Sequence, residues 1–274
     1  MSVWEDFLQL YQDPLFVWFP VATVGVSMAA FMLFALPLTA IAAADPAWAR
    51  PYRIQSRKAR PGVFWPSVWS WLENNLWLMA ASALAWPILR LSGVHMGPLP
   101  PWYVVLGSLL LFVYLDDFLY YGFHRLMHRR WWFKRVHGKH HRIYTPWAIT
   151  GNYMHPFEYV MTGTIMLVGP LLLGSHLLTI WLWVVFRQWE AAEGHCGYAF
   201  PWSPTRFLPF SDSSLHHDFH HSRVRGNYAG FLAIWDRVFR TVIKGYPTAV
   251  HAFRERAAHG PQPDSTNQGV AAKS

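Results

Sequence analysis

The feature that most constrains this chain is a stretch from Pro14 to Ala44 in which no residue carries a charge. At about 1.5 Å per residue, a helix of that length exceeds the roughly 30 Å hydrocarbon core of a bilayer, so one span is expected within about 17 to 42 despite Pro20 and Pro37. Two further apolar stretches, Ser70 to Leu89 and Trp102 to Leu115, predict a transmembrane hairpin closed by the Gly- and Pro-rich connection Ser92 to Pro101. A fourth, Tyr159 to Phe186, is uncharged but broken at Gly169-Pro170 and at Gly174-Ser175-His176. The 53% hydrophobic and 14% charged composition fits a membrane protein and excludes a disordered chain.

Charge is blocked rather than spread. The net charge of +8 includes Arg50, Arg53, Arg57, Lys58 and Arg60 after the first apolar run, and Arg125, Arg129, Arg130, Lys134, Arg135, Lys139 and Arg142 after the third. Such blocks beside spans mark cytoplasmic flanks and attract anionic headgroups, so nucleic acid is not the partner they imply. Glu5, Asp6 and Asp13 precede the first run without a Lys or Arg, which argues against a secretory signal and for an external N-terminus. The single cysteine, Cys196, excludes an internal disulfide, a cysteine-rich zinc site and a cysteine-ligated iron–sulfur cluster within one chain. No GxGxxG or GxxxxGK[ST] element occurs, so the chain is expected to carry no nicotinamide or flavin site of its own.

Most of the 15 histidines lie between His124 and His221. His124 and His128 in HRLMH are spaced i, i+4; His137, His140 and His141 in HGKHH are i, i+3, i+4; His217, His220 and His221 in HHDFHH repeat that pattern. On a helix these offsets align imidazoles on one face, within reach of a shared ion. His155 and His195 stand alone at either end of the fourth apolar stretch, and His216 adds an i, i+4 partner to His220. So many imidazoles exceed what one ion uses, which predicts two metals, with iron, zinc or copper suited to the nitrogen donors. If the histidines flanking the fourth stretch serve one site, that stretch must enter and return, a short hairpin over about 157 to 187. His95, His176, His251 and His259 are read as ordinary packing or surface residues.

Asp117 falls on the helical face of His124 and His128, where a buried carboxylate can accept the second N–H of a ligating imidazole. Its neighbour Asp116 is expected in water. Tyr121, beside Tyr120 at a membrane boundary, joins Asp117 as a candidate catalytic residue, and Glu158, Glu190 and Glu193 are further carboxylates near the lone histidines. The expected architecture is an all-α integral membrane protein whose transmembrane helices extend into a cytosolic helical cap carrying the histidine boxes. It divides into residues 1–62, an N-terminal span and basic loop; 63–123, a transmembrane hairpin; 124–241, the histidine region; and 242–274, a polar tail, disordered from about Gly260.

The order HRLMH, HGKHH, HHDFHH resembles the fatty acid hydroxylase and sterol desaturase superfamily. HGKHHRIYTPWAI, the His155-Pro156-Phe157-Glu158 element, GHCGYAFPWSPTRFLPF and HHDFHHSRVRGNYAGFLAIWDRVF resemble its C-4 sterol methyl oxidase branch. Arg240 departs from that pattern, standing where the family usually has glycine, and the first ninety or so residues match only as generic spans. The resemblance implies a non-haem di-iron centre on the cytosolic side, with His155 and His195 joining the eight box histidines as ligands. It implies O2-dependent oxidation of an unactivated C–H bond in a membrane lipid, most readily a sterol C-4 methyl. Sterol C-5 desaturation and fatty acid or carotenoid hydroxylation are alternatives of the same class. Electrons would come from a separate donor, such as a cytochrome b5-type protein, a ferredoxin or a reductase, docking on the face around Arg125 to Arg142. The protein would reside in a bacterial inner membrane, or in the endoplasmic reticulum if eukaryotic. A membrane metal carrier is the competing non-enzymatic reading, disfavoured because the boxes lie among arginines outside the spans. A zinc intramembrane protease lacks its HExxH pair.

Overall fold

The computed structural model describes residues 3–57, 60–230 and 232–259; the expected disordered tail from Gly260 lies outside the described residues. Six helices organise the chain: α1 (Ala22–Ala44), α2 (Phe64–Leu89), α3 (Trp102–Met127), α4 (Pro156–Leu172), α5 (Leu177–Gly194) and α6 (Ser213–Arg223). Among the described residues no strand forms, only isolated bridges such as Arg53 with Tyr198.

Among the described residues two helices are long and apolar enough to cross a membrane: Pro14–Ala44, of which α1 is the larger part, and Trp102–Met127. Pro20, which cannot donate a backbone hydrogen bond, widens the helix locally into a π-type turn over Val17–Val21 instead of ending it. α2 equals α3 in length at 26 residues, but Glu73, Asn74 and Asn75 interrupt its apolar run. Asn74 and Asn75 are buried, and Asn74 donates to the carbonyls of Asn152 and Met154 at 3.1 and 3.2 Å. The opposite side of α2 exposes Trp65, Trp69, Leu76, Trp77 and Leu84, an apolar surface of the kind that lipid covers.

α1 packs along α5, while α4 lies against both α2 and α3. Trp181 Nε1 donates to Thr23 Oγ1 at 3.0 Å, and Trp183 Nε1 donates to the Met166 carbonyl at 2.8 Å. The chain reverses between α4 and α5 at Leu173–His176, where Gly174 takes a left-handed φ of 51°. One core gathers Phe19, Trp86, Phe112, Trp183 and Leu232. A second, of Phe31, Ala35, Trp71, Ile149 and Cys196, anchors the loops around residues 147–152 and 196–200 against α1 and α2. It is this second core that presents the histidine segments to one another.

Candidate metal centre

α3 outlasts its apolar portion and ends in HRLM, so His124 lies in its last turn and His128 caps its C-terminus. The chain then turns through the short helix Arg130–Arg135 into a tight 3-10 helix, His137–Arg142. Only glycine fits at Gly138, because a Cβ there would stand 2.6 Å from the Phe133 carbonyl oxygen. α6 supplies His217, His220 and His221, and His195 caps the end of α5.

Nine imidazoles converge in two groups. His124, His128, His137, His141 and His220 form one, and His140, His195, His217 and His221 the other; within each group the ligating nitrogens all lie within 4.8 Å of one another. The His124 and His220 rings are 4.6 Å apart, centre to centre, so the first and third boxes meet in one site. The expectation that each box serves a shared ion is corrected in detail. HGKHH gives His137 and His141 to one group and His140 to the other, and HHDFHH is split in the same way.

The imidazoles are oriented from outside. Nδ1 of His124 donates to the Tyr228 carbonyl at 2.7 Å, His220 to Gly226 at 2.7 Å, His221 to Ile143 at 2.9 Å, His195 to Ala191 at 2.9 Å and His140 to Tyr153 at 3.3 Å. His137 Nδ1 donates to the Glu158 carboxylate at 2.5 Å. An imidazole that donates through Nδ1 and is neutral carries a lone pair on Nε2. Yet Nε2 of His124 lies 3.1 Å from Nε2 of His137, and Nε2 of His140 lies 3.3 Å from Nε2 of His195. Neither pair has a proton left to share, so lone pairs face each other with nothing between them unless a cation is there. Two nitrogens at about 2.1 Å from one ion and about 90° apart are separated by about 3.0 Å, so the arrangement fits a metal. His221 Nε2, buried and without a hydrogen-bond partner, is another such donor.

Burial keeps these rings neutral. It lowers His140 to about 3, helped by His195, and His195 to about 4, and it holds His217, His220 and His221 well below 6.5. Neutral imidazole is the form that ligates, and four or five of them suit iron, zinc or copper better than magnesium or calcium.

Other expected residues fall elsewhere. His155 joins neither group: it caps α4, its Nδ1 accepting the Phe157 N–H at 3.2 Å. Position explains it, since Pro156 opens the helix and the residue before it is the cap. Asp117 is buried, but the Nδ1 of His124 goes to the Tyr228 carbonyl, and the Asp117 carboxylate accepts the N–H groups of Gly230 and Leu232 at 2.9 and 3.2 Å. The Tyr121 hydroxyl pairs with Thr241 at 3.0 Å and accepts from Arg125 at 3.0 Å, away from both groups. It is Tyr120 whose ring lies against His124, at 5.1 Å. Asp116, expected in water, is buried and accepts from Arg187 at 2.8 Å; Arg187 also pairs with Glu190. Glu193 accepts from Thr205 at 2.6 Å. His216 lies 3.4 Å from Asp236, outside the groups. His95 and His176 pack on each other at the far turn, and His251 is exposed beside Glu255. Asp236 escaped attention although WDRVF marks it: it accepts the N–H groups of Tyr228 and Ala229 and so sets the loop that holds His124.

The family model described as Fatty acid hydroxylase matches residues 109–241, which contain every histidine of both groups. Methylsterol monooxygenase 2-2 of Arabidopsis thaliana is 39% identical over 203 residues, 71% of this chain and 75% of the relative. Methylsterol monooxygenase 2-1 of the same plant is 41% identical over 188 residues, 63% of this chain and 68% of the relative. Very-long-chain aldehyde decarbonylase GL1-11 of Oryza sativa is 42% identical over 162 residues, 58% of this chain and 61% of the relative. No solved structure gives a significant match. With three histidine boxes folded into one centre and a relative of which it covers three quarters, this chain belongs to the fatty acid hydroxylase family of oxidoreductases, in the branch that holds the methylsterol monooxygenases.

Proposed function

We propose that the protein is a membrane non-haem di-iron oxygenase that oxidises an unactivated C–H bond of a lipid, most readily a C-4 methyl group of a sterol. The observation that carries this reading is the pair of facing Nε2 lone pairs, His124 with His137 and His140 with His195, each in its own group. One iron would be held by His124, His128, His137, His141 and His220, the other by His140, His195, His217 and His221. Iron bound there supplies the redox chemistry that a thiolate-free nitrogen shell withstands and that zinc lacks. The net reaction balances as R–CH3 plus O2, two electrons and two protons giving R–CH2OH and water.

The chain's own contribution is orientation and exclusion of water. Backbone carbonyls and Glu158 fix the tautomer of six imidazoles, and eight of the nine rings are buried, His128 being partly buried. The electrons would enter from a separate acidic carrier docking on the exposed arginines Arg125, Arg129, Arg130, Arg135 and Arg142, whose charge supports a cytoplasmic location for this side.

The test is metal analysis of the purified protein together with turnover. About two irons per chain, and a C-4-oxidised product from a 4-methyl sterol given O2 and an electron carrier, are expected. Zinc alone or one exchangeable ion, with no oxidised lipid, would return the carrier reading.

A further inference from the structure

Two narrow cavities run end to end between α1, α2 and α4 and share Ser27, Leu78, Gly163 and Met166 at their junction. The outer one is apolar and reaches Phe19, Pro20 and Leu89, at the end of the helices away from the histidines. The inner one reaches Asn152, Arg187, Gln188 and Ala191. It abuts the metal centre on two sides. The Ala191 carbonyl holds His195 at 2.9 Å, and the residue after Asn152, Tyr153, holds His140 at 3.3 Å. Arg187 lies over the Tyr120 ring at 5.5 Å, and that ring lies against His124.

The inner end has unmet hydrogen-bonding demand. Asn152 is 6% exposed and Gln188 9%, yet Asn152 Nδ2 and Gln188 Oε1 have no hydrogen-bond partner. The Gln188 amide is held by its other end, Nε2 donating to Ser27 Oγ at 2.9 Å, and Asn152 is held through its main chain, whose carbonyl accepts from Asn74 at 3.1 Å. Buried polar groups are paired as a rule, so an orphan donor and an orphan acceptor lining one cavity point to a missing ligand. A hydroxyl is both donor and acceptor and matches the two together. The cavity beyond offers mainly apolar surface to the remainder of the molecule, with the hydroxyls of Thr23 and Ser82 as its further polar groups.

We propose that Asn152 and Gln188 hold the hydroxyl head of an otherwise apolar lipid at the inner end of this passage, and that this contact selects which carbon meets the metal centre. The inference rests on the lipid-oxidase reading above and adds the group by which the lipid is recognised. In a sterol the ring hydroxyl sits on the carbon bonded to C-4, so holding the hydroxyl confines the C-4 methyls to its immediate neighbourhood. Neither residue takes part in bond breaking; both are positioning residues.

The test compares equilibrium binding of a radiolabelled 4,4-dimethyl sterol with that of its 3-deoxy counterpart, on the purified holoprotein in lipid nanodiscs. The wild-type chain is expected to prefer the hydroxylated sterol by roughly tenfold to a hundredfold, the range for satisfying buried polar groups. Asn152→Leu and Gln188→Leu should each narrow that ratio, and the double variant should bring it near one, with metal content reporting that each variant is folded. Equal binding of the two sterols by the wild type overturns the proposal, with or without foldable variants. So does a ratio that survives both substitutions. If both sterols bind alike and the C-4 product still forms, the sterol reading stands and only the hydroxyl contact falls. If neither sterol binds, the sterol reading fails and this one with it.

Discussion

Asp117 reaches 113 residues along the chain to accept the N–H of Gly230 at 2.9 Å, and with its second oxygen that of Leu232. The Tyr228 carbonyl that holds His124 lies two residues before Gly230 in the same loop, so the carboxylate steadies the loop that orients a ligand, beside Asp236, which holds the Tyr228–Ala229 peptide itself. Asp117→Asn turns one acceptor into a donor that faces an N–H. The expected cost is about 1–3 kcal/mol of stability and roughly a tenfold to hundredfold loss of metal affinity. Thermal melts and metal titration of the variant check both; unchanged metal affinity would make Asp117 a folding residue only.

His155 and His195 separate cleanly by experiment. His195→Ala removes a member of the four-histidine group and should lower metal content together with activity. His155→Ala removes a helix cap, so it should keep its metal and lose about 0.5–2 kcal/mol of stability. Metal lost on His155→Ala to the same extent as on His195→Ala would restore it to the ligand set.

The contrast between these two residues marks what a single chain discloses. The eight box histidines are legible because ligand spacing is local, i, i+3 and i+4 being readable along the chain, whereas His195 stands alone and is reached only through the family resemblance. His155 looks equivalent in isolation, and the feature that distinguishes it is the proline after it. Nothing local discloses that a box divides between two groups, since that depends on how the 3-10 turn His137–Arg142 meets α6. The carbonyls of Tyr228, Gly226, Ile143, Ala191 and Tyr153 that orient the rings are backbone groups, and every residue has one. Asp116 is misjudged for a similar reason, as its partner Arg187 lies 71 residues away, at the end of an apolar stretch.

Arg240 holds a φ of 55°, a left-handed conformation in which an L side chain is strained and glycine is not. The position is exposed, so little packing offsets the strain. That accounts for glycine being the usual residue after WDRxF in the resembling family. Arg240→Gly should therefore stabilise the protein by about 0.5–1 kcal/mol after the greater freedom of glycine in the unfolded chain is subtracted. Arg240→Ala, which keeps a Cβ, should not. A melting temperature that rises equally for both would assign the effect to charge instead of backbone.

The buried histidines give the chelated protein a pH dependence of definite sign. Burial lowers His140 to about 3 and His195 to about 4, whereas in the unfolded chain both titrate near 6.5. Between those values the unfolded chain binds protons that the folded one refuses, so stability rises with pH there and falls as the solution is acidified. Above about pH 7 both states are neutral at these rings and the contribution is flat. Each ring that stays neutral removes about 1.4 kcal/mol per pH unit once the pH is below about 6. Denaturation midpoints of the metal-free protein, measured from pH 8 to pH 5, should hold level and then drop below about 6.5. A level line down to pH 5 would mean that these imidazoles take up protons in the folded state, and that the centre loosens when its metal leaves.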